Sequence, residues 1–253
     1  MLLELSHQDR AAVITLSRPP VNAIDDELIG RFHETLDVLS KRNDWSVLHI
    51  RSSQKVFAAG ADLVLIRSWK DAPSPSVALR GYIERLQGLY ARIEALPQAS
   101  VCEIGGAAMG GGYELALACD LRVAAEEAKI ALPEVGIGLL PGAGGTQRLT
   151  RLCGRGVAAR VILTGQPVDG ATARQLGMVD WAFPRAELAA QAQKIVAQLA
   201  AAPAHSQQAA KRCIAAAGDH TQDGFEVEQV LGSTLLDSPD TQALIAAFLE
   251  RNK

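Results

Sequence analysis

Apolar residues in the first fifty positions follow strand and helix spacings in turn. Two short apolar stretches, residues 2–6 and 11–16, are separated by a polar turn, which predicts an antiparallel edge hairpin. From Asp25, a good N-cap, apolar residues recur at helical spacing as far as about Lys41. Residues 46–52 then have the pattern of another strand.

The order of strand, glycine-rich loop and helix returns further along the chain. Residues 99–104 and 121–125 are predicted strands, with the segments GGAAMGGG and YELALA between them. Segments 46–63 and 99–120 are roughly alike, although the chain has no tandem repeat. Alternation of this kind implies crossover connections, so we expect an α/β fold with a mostly parallel sheet.

The pattern changes after Gly144. Helices are predicted at 145–152, 155–163 and 170–176, with a short strand at 178–183 and Ala-rich helices from there to the C-terminus. We therefore expect a core domain over 1–186 and a helical region over 187–253 that serves in oligomerisation or as a lid. Residues 64–95 have the weakest pattern, and Pro73–Ser76 marks a loop within them.

Composition narrows the class of protein. With 253 residues, 48% hydrophobic and 21% charged, the chain is typical of a globular protein. An aromatic content of 4% and a net charge of −3 argue against a nucleic-acid surface. We find no leader-like start and no run of about 18 apolar residues. The expectation is a cytoplasmic protein that is not embedded in a membrane.

The sequence does not favour metal or redox chemistry. The four cysteines are far apart, without a CxxC pair or a nearby histidine at zinc spacing. In GIGLLP, Pro141 stands where a dinucleotide fingerprint needs its third glycine, and the chain has no phosphate-binding P-loop. We expect neither a metal nor a redox cofactor.

Two glycine-containing segments, FAAGADL at 57–63 and GGAAMGGGYE at 105–114, require an explanation in terms of the backbone. Consecutive small residues let a ligand approach the main chain, or they relieve a tight turn. Gly110–Gly112 lie just ahead of a helical segment, where free N–H groups and the helix dipole attract an anion. The second segment therefore predicts an oxyanion site.

Three glutamates are candidates for chemistry. Glu114 falls in the first turn after the glycines, and Glu134 lies in the irregular stretch LPEVGIGLLPGAGG. Two carboxylates in a partly dry site can acquire different pKa values, so that one acts as a base and the other as an acid. Glu103 lies on a predicted strand, where a structural ion pair or subunit contact is favoured over catalysis.

Four segments together resemble the enoyl-CoA hydratase/isomerase (crotonase) superfamily. They are FAAGADL (57–63), GGGYELALACD (110–120), LPEVGIGLLPGAGGTQRL (132–149) and LTGQPVDGATARQLGMVD (163–180). The likeness extends from residue 2 to the C-terminus. It implies a crotonase-like fold of repeated ββα units with a C-terminal helical part, and a homotrimer or dimer of trimers.

The resemblance also implies roles for individual residues. The main-chain N–H groups of Ala61 and Gly111 would form the oxyanion hole, and Glu114 and Glu134 would handle water and the proton at Cα. The residues expected along the bound acyl-CoA are Ala23, Lys55, Ala59, Ala61, Asp62, Leu63, Gly110, Gly111 and Pro133. Coenzyme A is then part of the substrate, and the implied reaction is hydration of a 2-enoyl-CoA in fatty acid metabolism. We expect residues 64–95 to shape the pocket for the acyl chain.

The sequence departs from the family pattern at several positions. Val64 stands where some hydratases carry a lysine that contacts the CoA phosphates, and ASVCEIGGAAM has Ala99, Glu103 and Gly105 at unusual positions. Two alternatives stay open: an enoyl-CoA isomerase, which needs only one carboxylate, and an acyl-CoA-binding protein without turnover. The presence of both Glu114 and Glu134 favours hydration.

Overall fold

A computed structural model describes residues 2–251, which form nine strands and ten α-helices. The strands are β1 Leu3–Gln8, β2 Ala11–Leu16, β3 Val47–Ser52, β4 Ala99–Ile104, β5 Ala108–Met109, β6 Leu121–Ala125, β7 Lys129–Ala131, β8 Val168–Asp169 and β9 Trp181–Phe183. The helices are α1 Asp26–Ser40, α2 Leu63–Ser68, α3 Pro75–Glu94, α4 Gly111–Leu117, α5 Gly145–Thr164, α6 Gly170–Gln175, α7 Arg185–Ala201, α8 Ala204–Ala216, α9 Gly224–Leu235 and α10 Pro239–Arg251.

The main sheet has the strand order β1-β2-β3-β4-β6-β9. Only β1 and β2 pair antiparallel, as the predicted edge hairpin, and the other neighbours are parallel. A second, small sheet joins β5 to β7 in parallel and β7 to β8 antiparallel. The mostly parallel α/β architecture is therefore confirmed.

Burial explains why the central strands form where they do. All six residues of β2 are buried, as expected for a parallel strand that is covered on both faces. Ile14 on β2 lies beside Ile50 on β3, which in turn lies beside Cys102 on β4, and all three belong to the hydrophobic core. Helix α1 adds five buried apolar residues to this core, and Asp25 caps it by accepting the N–H of Leu28.

Helix α7 continues across the predicted domain boundary. It begins at Arg185, and its buried residues Leu188, Ala192 and Val196 pack in the same core as the sheet. Helix α8, which follows, is mostly half-buried, and α9 and α10 are largely exposed. Ala216 is the one buried residue of these three helices within the described chain. The division into 1–186 and 187–253 stays a prediction.

None of the helices within residues 2–251 combines the length and the apolar character needed to cross a lipid bilayer.

The two glycine-containing segments follow neighbouring parallel strands. One comes after β3 and the other after β4, so both leave the sheet at the same edge. In α/β folds ligands bind outside the carboxyl ends of such strands. The topology thus brings distant parts of the chain to one place.

Candidate active site

The first element of the site is the start of α4. Gly110, its N-cap, has φ 50° and ψ −125°, a conformation that favours glycine. Its carbonyl accepts the N–H groups of Tyr113 (2.8 Å) and Glu114 (2.9 Å). The N–H of Gly111 is at the first helical position, which has no intrahelical acceptor, and it donates to no other group within residues 2–251.

The second element is the loop before α2, which touches the start of α4 through backbone alone. Gly60 has φ 94°, and a Cβ there would lie 2.6 Å from Met109 O and 3.1 Å from Gly111 N. A Cβ on Gly111 would lie 3.3 Å from Ala61 N. The N–H of Ala61 also lacks an acceptor in the described chain. The close approach that glycine permits therefore sets two free N–H donors side by side.

These donors open into a cavity of about 400 Å³. Its lining combines the two donor residues and two glutamates with an apolar wall: Ala61, Ile66, Leu79, Tyr82, Ile83, Leu86, Gly111, Glu114, Glu134, Gly138, Leu139, Leu140, Gly142 and Ala143. The four residues expected to carry the chemistry thus share one cavity.

Glu114 is buried, with a relative exposure of 3%, and it projects from α4 toward the start of α5. Its Oε1 accepts the N–H of Gly145 at 2.7 Å. Burial raises the pKa of Glu114 to about 7, helped by the charge of Glu134 and opposed by the hydrogen bond from Gly145. The carboxyl therefore changes protonation state near neutral pH.

Glu134 begins the 3-10 turn Glu134–Ile137 and approaches Gly110 closely. A Cβ on Gly110 would lie 2.6 Å from Glu134 Oε1, so a larger residue would displace the carboxyl. Glu134 Oε2 is buried and has no hydrogen-bond partner among residues 2–251. Burial also raises the pKa of Glu134. An unsatisfied buried carboxyl oxygen is costly, which fits a group that serves a ligand.

The other predicted contact residues lie on adjoining segments but do not line this cavity. Lys55, Ala59 and Leu63 are exposed, and the carbonyl of Ala23 accepts the Arg18 guanidinium at 2.6 Å. Pro133 is the N-cap of the turn that carries Glu134. Their contacts to coenzyme A stay predictions.

Asp62 has a structural partner for its carboxyl. Its Oδ1 caps α2 by accepting the N–H groups of Val64 (2.9 Å) and Leu65 (3.2 Å), and its Oδ2 lies 3.3 Å from Arg18 Nη1. Partial burial opposes ionisation, but these donors hold the pKa of Asp62 below its usual value. The side chain fixes the loop that carries Ala61.

Glu103 lies outside the cavity. Its Oε2 is 3.0 Å from His49 Nε2, and the two side chains are 13% and 4% exposed. The contact joins neighbouring strands β4 and β3. The contact places a possible ion-pair partner beside this largely buried carboxylate, although the two atoms do not have the geometry of a hydrogen bond.

Helix α3 supplies a wall of the cavity, as expected for segment 64–95, but the sequence analysis did not predict that this segment is a helix. Leu79, Tyr82, Ile83 and Leu86 all face the cavity from this helix. Their spacing of i, i+3, i+4 and i+7 is the helical signal, and Pro75 at the helix start is a further one. Both were present in the weakly patterned segment 64–95.

Metal-binding side chains do not cluster in the part of the chain that the structure describes. Residues 2–251 contain no group of three or more His, Cys, Asp or Glu side chains placed to hold an ion. The expectation of no metal and no redox cofactor stays a prediction.

Comparison with known proteins places this geometry in context. The sequence profile of the enoyl-CoA hydratase/isomerase family matches residues 6–253. The chain is 36% identical to the probable mitochondrial enoyl-CoA hydratase 2 of Arabidopsis thaliana, with 100% of this chain and 83% of that protein covered. It is 33% identical to the 2,3-dehydroadipyl-CoA hydratase of Escherichia coli K12, with 98% and 96% covered. The crystal structure of an enoyl-CoA hydratase from Bacillus anthracis superposes with a TM-score of 0.91 at 28% identity, covering 99% and 97% of the two chains.

Proposed function

Since the chain belongs to the enoyl-CoA hydratase/isomerase family and has its crotonase-like fold, we propose that it hydrates trans-2-enoyl-CoA to 3-hydroxyacyl-CoA. One observation carries the proposal: two unpaired N–H donors, the buried Glu114 and the half-buried Glu134 line the same cavity. Hydration needs all four groups, whereas binding alone needs none of the carboxyls.

The donors of Ala61 and Gly111 suit the charge that develops during the reaction. As the oxygen of water bonds to Cβ, the Cα–Cβ electron pair moves and negative charge collects on the thioester oxygen. Two fixed N–H groups stabilise this enolate, and losing one such donor typically costs about 10²- to 10³-fold in rate. The adjacent backbone segments hold both donors without reorganisation.

The glutamates suit the two proton transfers. One carboxyl accepts a proton from the attacking water, and the other delivers a proton to Cα. A carboxyl with a pKa of about 7, as burial gives Glu114, is suited to exchange protons at neutral pH. Because paired carboxyls titrate as a unit, the pair is assigned the two tasks jointly.

Two absorbance assays test the proposal. Purified protein is expected to remove the absorbance of the conjugated enoyl thioester from crotonyl-CoA, because hydration destroys the conjugation. With a 3-enoyl-CoA, little conjugated product is expected to form. Formation of the conjugated band without its subsequent loss would assign an isomerase, and binding of crotonyl-CoA without any change would assign a protein without turnover.

The apolar wall of the cavity indicates an unsubstituted acyl chain. Among the described residues, the lining contains no Lys, Arg or His that could pair with a second carboxylate, and the relevant wall is formed by Ile66, Leu79, Ile83, Leu86, Leu139 and Leu140. The Escherichia coli relative is named for a substrate with such a carboxylate. Burying that charge unpaired would be costly here.

We therefore expect kcat/KM for trans-2-hexenoyl-CoA to exceed that for 2,3-dehydroadipyl-CoA by at least about tenfold, because the second loses a solvated charge on binding. The acyl groups of both thioesters have six carbons, so chain length is matched. The measurement is initial hydration rate against concentration for each. Equal values would contradict the aliphatic assignment and leave the hydratase assignment standing.

The assembly is part of the same proposal. Several large apolar side chains of the C-terminal region are more than 45% exposed: Phe225, Val230, Leu236, Leu244, Ile245 and Leu249. Exposed apolar surface is typical of protein contacts. These side chains support an oligomer, and the homotrimer or dimer of trimers is the form that the family resemblance implies.

A further inference from the structure

Helix α3 carries two buried tyrosines that the chemistry so far does not use. Tyr82 and Tyr90 have relative exposures of 1% and 0%. Each hydroxyl donates to a backbone carbonyl outside its own helix: Tyr82 to Ile24 O at 2.6 Å, and Tyr90 to Gly111 O at 2.7 Å. Both acceptors lie on segments that adjoin the predicted oxyanion donors.

The Tyr82 hydroxyl acts on the segment that holds Ala61. The N–H of Ile24 donates to Gly60 O at 2.8 Å, and Ile24 O accepts the N–H of Asp62 at 2.9 Å. Gly60 O belongs to the same peptide unit as the N–H of Ala61. Ile24 therefore holds the two peptide units that flank Ala61, and Tyr82 fixes Ile24.

The Tyr90 hydroxyl acts on the first turn of α4. Its acceptor, Gly111 O, belongs to the residue whose N–H is the second donor. The preceding carbonyl, Gly110 O, is already held by the N–H groups of Tyr113 and Glu114. The N–H of Gly110 also donates to Ala131 O at 2.9 Å, so Tyr90 adds a side-chain anchor to a segment that is otherwise held by backbone hydrogen bonds.

Both anchors belong to one rigid element. The tyrosines are eight residues apart, which is about 12 Å along the helix axis, enough to reach the two segments separately. Burial raises the pKa of each tyrosine hydroxyl far above the ordinary value of a tyrosine, so both hydroxyls keep their protons and remain donors around neutral pH. A single helix therefore sets the positions of two segments that are distant in sequence.

We propose that Tyr82 and Tyr90 are positioning residues, which align the N–H groups of Ala61 and Gly111 on one thioester oxygen through Ile24 O and Gly111 O. The inference rests on the proposed function, because it gives these N–H groups the role of an oxyanion hole. Both hydroxyls already donate to main-chain carbonyls, so the proposed role requires no contact between them and the reacting atoms.

The test compares Tyr82→Phe and Tyr90→Phe with Tyr113→Phe as a matched control. Tyr113 is equally buried, and its hydroxyl donates to Met178 O at 2.9 Å, a carbonyl outside both donor segments. The first two variants are expected to lose about tenfold in kcat for crotonyl-CoA with little change in KM, since small misplacements of catalytic groups reduce turnover. Tyr113→Phe removes only the hydroxyl and keeps the main-chain N–H that donates to Gly110 O. Because the acceptor of the hydroxyl, Met178 O, adjoins neither donor, this variant is expected to keep kcat within about twofold of wild type.

A spectroscopic measurement separates positioning from general loosening. Hexanoyl-CoA labelled with ¹³C at the carbonyl cannot be hydrated, and hydrogen bonds from the oxyanion hole lower its C=O stretching frequency. We expect the full downshift in wild type and Tyr113→Phe, and a smaller one in Tyr82→Phe and Tyr90→Phe. Circular dichroism and thermal melts identify a variant that does not fold, in which case the other tyrosine carries the comparison.

The outcomes are distinct. Downshifts and kcat values equal to those of Tyr113→Phe would overturn the proposal, as would a wild-type protein with no downshift. A wild-type protein that shows the downshift but does not hydrate crotonyl-CoA would end the hydratase assignment. The infrared comparison would then still decide the roles of Tyr82 and Tyr90.

Discussion

Glu114→Gln and Glu134→Gln are each expected to lower kcat for crotonyl-CoA by about 10²- to 10⁴-fold, the range for a positioned proton-transfer group. Glutamine keeps the size and the hydrogen-bonding oxygen of glutamate, including an acceptor for the N–H of Gly145, but it neither takes nor gives the proton. Binding of a saturated acyl-CoA should change little, because the apolar wall and both N–H donors remain. The measurements are initial rates of absorbance loss and calorimetric titration.

Glu103→Gln is the matched control for this comparison. It removes a third largely buried carboxylate, which contacts His49 on the sheet and does not line the cavity. We expect its kcat to stay within about threefold of wild type, with the loss appearing in stability instead, because a buried partner is weakened. A Glu114 or Glu134 variant as active as this control would remove that residue from the mechanism.

The double variant sharpens the same test. If both carboxyls serve one reaction, the loss in Glu114→Gln/Glu134→Gln should be much smaller than the product of the single losses, as for residues that act as a unit. Independent, multiplicative losses would instead indicate that the two glutamates serve separate steps.

The strands of the main sheet were the most predictable part of the structure. Residues 11–16, 99–104 and 121–125 form β2, β4 and β6 with the predicted bounds. Each is a short, mostly apolar run that is flanked by polar residues or glycine, so the local sequence marks its ends. The strand predicted at 178–183 is confined to Trp181–Phe183, because Met178 and Val179 are buried before the pairing with β6 begins.

The helices show where local pattern is insufficient. Two helices were predicted at 145–152 and 155–163, and this prediction is confirmed: within Gly145–Thr164, Gly154 has φ 76° and ψ 163°, which is not helical and separates two helical segments. Helix α3 was missed altogether, although it forms a wall of the cavity.

The site could be predicted in part. Glycines at 60, 110 and 111 indicated that a ligand or another segment approaches the backbone closely. In the structure the approaching group is another backbone segment, because Gly60 lies against Met109 and Gly111. The meeting of Glu114 with Glu134 depends on loops that local periodicity does not describe. The family resemblance supplied that pairing, whereas the tyrosine anchors on α3 needed coordinates.

Glu114→Gln is also expected to make the protein more stable above neutral pH, by about 3 kcal/mol relative to wild type. The pKa of Glu114 is about 7 in the folded protein, against a reference value of 4.5, so the folded state binds the proton more tightly than the unfolded state does. Between these two values unfolding releases a proton, and wild-type stability falls as pH rises. The difference of about 2.5 pKa units corresponds to about 3 kcal/mol, because one unit is about 1.4 kcal/mol.

The expected signature is a stability difference that grows with pH. Urea unfolding at matched protein concentration should show the gap between Glu114→Gln and wild type widening from pH 4.5 to 7 and levelling off above it. Glu84→Gln, which removes a 59% exposed carboxylate paired with Arg80 on α3, should show no such widening. A pH-independent gap for Glu114→Gln would mean that the folded protein does not disfavour the charge. A stability difference that grows with pH, together with the loss of turnover, would show that the buried Glu114 carboxyl destabilises the fold while it exchanges a proton near neutral pH.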